Sequence, residues 1–199
     1  MSLLIDIRKL RLFNEMARKG GTTVARDLGQ MIDVETETTL TRINFIDHSD
    51  LKAHVGEDER IGISVELVEP PHGHILFLLD GSSAKYLASR MVGDMGETSD
   101  GTGFSEMEKS AIQEIANIMT SAFIDGWANA LNTTIDISTP SFSVGRGDQI
   151  VDELLGSMPY ELALLFDSEI RVPDSDVRLM AYMFPDLEEL VELMNRMEA

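Results

Sequence analysis

The chain has 199 residues, no cysteine, 16 basic against 35 acidic residues, a formal net charge of −19 and 43% apolar content. That length suits one large domain or two small ones and is enough to bury a sizeable core. The absence of cysteine excludes disulfides, thiolate metal sites and cysteine nucleophiles, while the charge argues against nucleic acid, anionic membranes and free phosphometabolites as partners.

The longest strongly apolar run, Ile75 to Leu79, is far too short to cross a bilayer. Asp6, Arg8, Lys9 and Arg11 fall where the apolar core of a signal peptide would lie, so a cytoplasmic location is expected. Only five basic residues are Lys. An acidic, lysine-poor surface suits a cytoplasm of very high salt, where screening removes self-repulsion. Disorder is the rival explanation for such charge, but the apolar content and clear periodicity are those of a folded chain.

From about Ile5 to Met31, Leu12, Phe13, Met16, Ala17, Val24 and Leu28 recur on one side of a predicted helix. Gly20-Gly21 marks either a kink or a close approach to a neighbouring element. Val34 to Ile46 reads as extended, and the polar stretch His48 to Arg60 as loop. Ile61, Ile63, Val65 and Leu67 alternate with polar or small residues as in a strand. Pro70-Pro71 and Gly73 then turn the chain into a second strand, His74 to Asp80. Ser82 or Ser83 is placed as the cap of a short helix ending near Gly93, followed by an acidic, glycine-rich link.

Phe104 to Leu131 reads as one long helix, with Ser105 as N-cap and Glu108 completing a capping box. Ala111, Ile115, Ile118, Met119, Ala122 and Phe123 form its core face. Ser110, Glu114, Asn117 and Ser121 occupy an arc of roughly 60° beside that face, uncharged apart from Glu114. Thr133 to Val144 is expected to be extended, and Asp148 to cap a short helix closed by Gly156. Tyr160 to Val172 and Val177 to Phe184 form a hairpin around Pro173-Asp174. Asp186 with Glu189 caps a last helix carrying Leu187, Leu190, Val191 and Met194.

The two halves follow the same order: long helix, strand, connection, hairpin, short helix. A shift of 99 residues sets Leu12, Phe13, Met16 and Ala17 on Ala111, Ile112, Ile115 and Ala116, Glu15 on Glu114, and Ile43 and Phe45 on Phe142 and Val144. This is the signature of an internal duplication. A first repeat of about 5–93 and a second of about 104–198 are expected to share one sheet, because each alone would make a marginal core. The fold class is therefore α+β: a pseudo-symmetric single domain over 1–199, with long helices on a largely antiparallel sheet.

Two other features are weaker. The link before the long helix lacks the Lys of a phosphate loop and carries Asp94, Glu97 and Asp100, so it reads as a connection between halves. His72 and His74 lie two apart near a turn without an evident third ligand, and read as exposed hairpin histidines; no metal site is assigned.

Ser110, Glu114, Asn117 and Pro140 fit the pattern [DS]-x3-E-x2-N-x22-P, with no spacing error. In this, and in its duplicated layout and length, the chain resembles the CheC-type chemotaxis phosphatases, a family that includes the CheX and FliY types. The resemblance implies removal of the aspartyl phosphate from the chemotaxis response regulator CheY. It makes Glu114 and Asn117 the catalytic pair, and the partner-binding surface is expected to be formed by Ser110 and Pro140 of the motif together with Ser121 of the same helix stripe. Family members typically carry the motif twice. Here the first copy departs from it, with Arg11 for Ser or Asp, Glu15 kept, Arg18 for Asn and Thr41 for Pro, so a single working centre is expected.

The chemistry agrees with these residues. An acyl phosphate is already activated, and the regulator's receiver domain supplies Mg²⁺ and a Lys, so this chain needs no cofactor of its own. It need only place a water in line with the scissile bond. An Asn amide both donates and accepts hydrogen bonds and can hold that water. In the family the Glu pairs with the receiver's Lys. The alternative function is a non-enzymatic adaptor that binds CheY or the receptor deamidase CheD.

Overall fold

The computed structural model describes residues 7–93, 103–156, 162–173 and 175–196. The elements in chain order are α1 (Ile7–Ile32), β1 (Glu37–Asp47), α2 (His48–Val55), β2 (Glu59–Leu67), β3 (Gly73–Leu79) and α3 (Gly81–Val92). Then follow α4 (Glu106–Leu131), β4 (Ser141–Arg146), α5 (Gly147–Leu155), β5 (Leu162–Arg171), β6 (Arg178–Pro185) and α6 (Leu187–Arg196). The fold is α+β, and every strand pairing in the six-stranded sheet is antiparallel.

The strand order, β1-β5-β6-β3-β2-β4, is a palindrome under exchange of the halves. Replacing each strand by its counterpart three places on returns the same order read backwards, with the pseudo-axis between β3 and β6. Helices α1 and α4 start at 7 and 106 and end at 32 and 131, an offset of 99 at both ends. The same offset carries the end of β1, Asp47, to the end of β4, Arg146. Beyond α2 and α5 the offset grows, so the halves differ in their hairpins.

β3 shows why helices cover both faces of the sheet. Ile75, Phe77 and Leu79 belong to a core cluster that also contains Leu28 of α1, Leu87 of α3, Phe123 and Trp127 of α4, and Leu190 of α6. The intervening Leu76 and Leu78 belong to a second cluster, with Leu51 and Val55 of α2, Ile150, Val151 and Leu155 of α5, Tyr182 and Phe184. Alternate residues of a strand point to opposite faces, so the unbroken apolar run Ile75 to Leu79 must be buried on both.

The second helical layer corrects the expectation that His48 to Arg60 is loop. Asp47 caps α2, accepting from the Asp50 N–H at 2.8 Å, and Leu51 and Val55, four apart, give the helix one narrow apolar stripe. Two other caps also differ from expectation. Asp80, rather than Ser82 or Ser83, caps α3 and accepts from the Ser83 N–H at 2.7 Å. Arg146 holds the N-cap position of α5 without a side-chain capping bond, and Asp148 lies inside the first turn, where it accepts from the Arg146 guanidinium. Gly93 and Gly156 close their helices, and Asp186 accepts from the Glu189 N–H at 3.0 Å.

Gly20-Gly21 is a close approach: a Cβ at Gly20 would lie 2.6 Å from Cδ2 of Phe123. The glycine thus lets the two pseudo-equivalent long helices pack side by side. The link's Asp94, Glu97 and Asp100 lie outside the described residues.

Candidate active site

Helix α4 begins with the expected capping box. The Ser105 hydroxyl accepts from the Glu108 N–H at 3.2 Å, and the Glu108 carboxylate accepts from the Ser105 N–H at 2.7 Å. Lys85 of α3 donates to both Glu108 oxygens at 2.7 Å and lies 4.5 Å from the centre of the Phe104 ring. Burial alone would raise the Glu108 carboxyl, but the hydrogen bonds from Lys85 and Ser105 and the Lys85 charge outweigh it and hold the group below its ordinary range. The helix is therefore pinned immediately before Ser110.

The core face is buried as expected, with Ala111, Ile115, Met119, Ala122 and Phe123 inside and Ile118 half-buried. On the neighbouring stripe Ser110, Glu114 and Ser121 are exposed and Asn117 is half-buried. An open groove of about 320 Å³ runs between this stripe and the segment before β4, lined by Ser110, Gln113, Glu114, Asn117, Ile137, Ser138, Thr139 and Pro140. Four residues singled out in the sequence, Ser110, Glu114, Asn117 and Pro140, thus meet at one place from two elements. Ser121 stands one turn beyond, outside the groove, its hydroxyl donating to the Asn117 carbonyl at 2.9 Å.

The opposite wall follows from Pro140. The segment expected as one strand from Thr133 is irregular until Ser141, where β4 begins. Before it the chain touches β2 through the Leu67–Ile137 bridge, the Ser138 N–H donating to the Glu66 carbonyl at 2.9 Å and the Val68 N–H to the Asp136 carbonyl at 2.9 Å. Pro140 has no N–H for a ladder, and β4 is an edge strand, where such a residue is tolerated. The first half shows a related register shift between Thr38 and Leu40, but the strand continues through Thr41, paired with Ser168.

Gln113 was not singled out in the sequence. Its Nε2 donates to the Pro140 carbonyl at 2.6 Å and ties the helix to the wall. Its position three after Ser110 and four before Asn117 was a signal that only a known groove makes readable. The amide of Asn117 and the carboxylate of Glu114 make no hydrogen bond or ion pair among the described residues. Both functional groups therefore face the groove's surroundings uncommitted.

In the first half Arg11, Glu15 and Arg18 are exposed on α1. The depression there, also about 320 Å³, is lined by Arg18, Lys19, Thr22, Thr23 and Arg26, all from one helix. Its chemistry is cationic, whereas that of the second half is an amide beside a carboxylate. No group of three or more His, Asp or Glu side chains among the described residues is arranged to hold a metal ion. His72 is engaged by α6: its Nδ1 lies 2.8 Å from the Glu189 carboxylate, which also accepts from the His72 N–H. No helix among the described residues is long and apolar enough to cross a membrane.

The profile of the CheC-like family matches residues 107–144, from the first turn of α4 into β4 and thus across the whole groove. A Halobacterium salinarum protein named "Putative CheY-P phosphatase CheC1" is 47% identical over 195 residues, covering 98% of this chain and 99% of its own. The crystal structure of Thermotoga maritima FliY superposes with a TM-score of 0.71 over 97% of each chain at 17% identity. The FliM middle domain from H. pylori gives 0.70 over 96% of this chain and 99% of that one at 11% identity. At such identities the two structures speak for the fold alone.

Proposed function

The chain belongs to the CheC-like family, and on that footing we propose that it is a cytoplasmic phosphatase acting on a phosphorylated CheY-type response regulator. The relative with 47% identity carries CheY-P in its name, which supports this substrate. The observation that carries the proposal is the uncommitted Asn117 amide beside Glu114, both lining an open groove.

The regulator docks over the groove with its acyl phosphate towards Asn117. The Asn117 amide holds a water in line with the bond between phosphorus and the aspartyl oxygen. The water oxygen bonds to phosphorus as that bond breaks, giving inorganic phosphate and a free carboxylate. Most of the catalysis is positioning, so the mechanism asks for no nucleophile from this chain. Mg²⁺ belongs to the regulator, where it neutralises the phosphoryl charge. Glu114, one turn before Asn117, orients the regulator by pairing with a cation on it. A rigid helix, capped at Ser105 and tied to Pro140 through Gln113, suits a task in which small misplacements cost rate.

A second reading is favoured by one observation, the cationic exposed face of α1: the chain is an adaptor that holds the regulator or CheD without turnover. Phosphate release from purified phosphorylated regulator separates the two. Sub-stoichiometric amounts of this chain are expected to dephosphorylate the whole pool. Release unchanged from the regulator's own rate, with binding retained, would establish the adaptor.

A further inference from the structure

We infer that the exposed face of α1 is a docking surface for an acidic polypeptide segment, separate from the Asn117 groove. The helix contains six of the chain's 16 basic residues, Arg8, Lys9, Arg11, Arg18, Lys19 and Arg26, against two acidic ones, Glu15 and Asp27. It therefore carries +4 in a chain of −19. Its pseudo-equivalent α4 has one Lys against Glu106, Glu108, Glu114 and Asp125, a balance of −3. The same scaffold thus presents opposite charge on its two long helices.

Geometry concentrates those cations. At 100° and 1.5 Å per residue, Arg11, Arg18, Lys19 and Arg26 lie within an arc of about 100° and extend over about 22 Å. All four are exposed. The opposite face is fully used, with Met16, Val24, Ala25, Leu28 and Ile32 buried in the core.

Among the described residues only Arg26 finds a carboxylate partner within the helix. Glu15 lies in the same arc, four from Arg11 and three from Arg18, yet joins neither in an ion pair. Arg11, Arg18 and Lys19 make no hydrogen bond or ion pair among the described residues, and Arg26 pairs with its neighbour Asp27 at 2.8 Å while 62% exposed. The Thr22 and Thr23 hydroxyls donate to the Arg18 and Lys19 carbonyls at 3.0 Å and complete the depression among these cations.

The shape of the field selects the partner. Outside α1 the chain carries −23, the difference between −19 and +4, so a long polyanion or an anionic bilayer that reaches beyond the helix meets net repulsion from the rest of the chain. A short carboxylate-rich segment no longer than the cationic face gains the attraction without that penalty. Three uncompensated cations on a folded acidic protein also cost little until such a partner covers them.

Fluorescence anisotropy with a labelled octa-glutamate peptide and the full chain tests this. Binding is expected that weakens sharply between about 0.2 M and about 2 M KCl. The Arg11→Gln/Arg18→Gln/Lys19→Gln variant is expected to bind at least about tenfold more weakly, and Asn117→Ala as the parent chain does. Octa-glutamine should not bind. Should the triple variant fold poorly, carbodiimide coupling of the glutamate peptide to the parent chain, mapped by mass spectrometry, is expected to fall on Lys19. Coupling only elsewhere, no peptide binding at the lower salt, or equal binding by the triple variant would overturn the proposal. So would preference for phosphatidylglycerol vesicles, oligo-dT or inorganic phosphate over the peptide.

Discussion

The Nε2 of Gln113 donates to the carbonyl of Pro140 at 2.6 Å, joining the helix that carries Asn117 to the segment that walls its groove. The two residues are 27 apart in sequence. Pro140 contributes no N–H to the sheet, so this bond replaces part of the anchorage that a regular edge strand would have.

Replacing Gln113 by Glu keeps the side chain's shape but sets a carboxylate against the Pro140 carbonyl. The variant is expected to lose about 1 kcal/mol of stability and several-fold in phosphatase rate, with kcat affected more than regulator binding. Gln113→Asn is too short to reach and should behave similarly. Separate measurement of saturated and sub-saturated rates checks this. A fall in binding alone would make Gln113 a contact residue.

The palindromic sheet explains what the sequence could and could not reveal. The 99-residue offset between Ile7 and Glu106 was readable because apolar positions of α1 and α4 repeat in step. Ser110, Glu114 and Asn117 were readable because helical spacing alone puts them on one stripe. Helix α2 was missed, although the same offset sets His48 to Val55 on Gly147 to Leu154, most of α5. Its single stripe, Leu51 and Val55, is too short for periodicity to register. Gln113 and the Ile137–Thr139 wall stayed hidden because their roles depend on contact between α4 and a bent edge segment. No local pattern encodes that contact.

Glu114 and Glu15 occupy equivalent positions, and their substitutions should separate the halves. Glu114→Gln keeps the shape and removes the charge. It is expected to weaken productive binding by about 1 kcal/mol or less, and less still in high salt. Glu15→Ala should leave the rate within a few-fold of the parent chain. Steady-state kinetics at two salt concentrations decide the matter. Equal losses at the two positions would make the first half catalytic, and a loss at Glu114 exceeding that at Asn117 under saturation would place the carboxylate in the chemistry.

Glu108 makes stability depend on pH. Its carboxyl is held below its ordinary value of 4.5, so the unfolded chain binds more protons than the folded one as pH falls below that value. The contribution is complete above the ordinary value and is lost as pH drops through the lower, folded-state value. Glu108→Gln keeps the backbone cap but discards the Lys85 charge contact. It is expected to be about 1 kcal/mol less stable near neutrality, with the difference closing in acid. Denaturant unfolding of both proteins across this range checks the sign. A gap that widens in acid would contradict it.

In the proposed mechanism Asn117 places the attacking water. Its most direct test is the dephosphorylation rate of Asn117→Ala at saturating phosphorylated regulator, with affinity for the regulator measured on the same preparation. Affinity close to that of the parent chain is expected, with a catalysed rate lower by about a hundredfold or more. Collapse of binding with a normal rate per complex would make Asn117 a contact residue and contradict the mechanism.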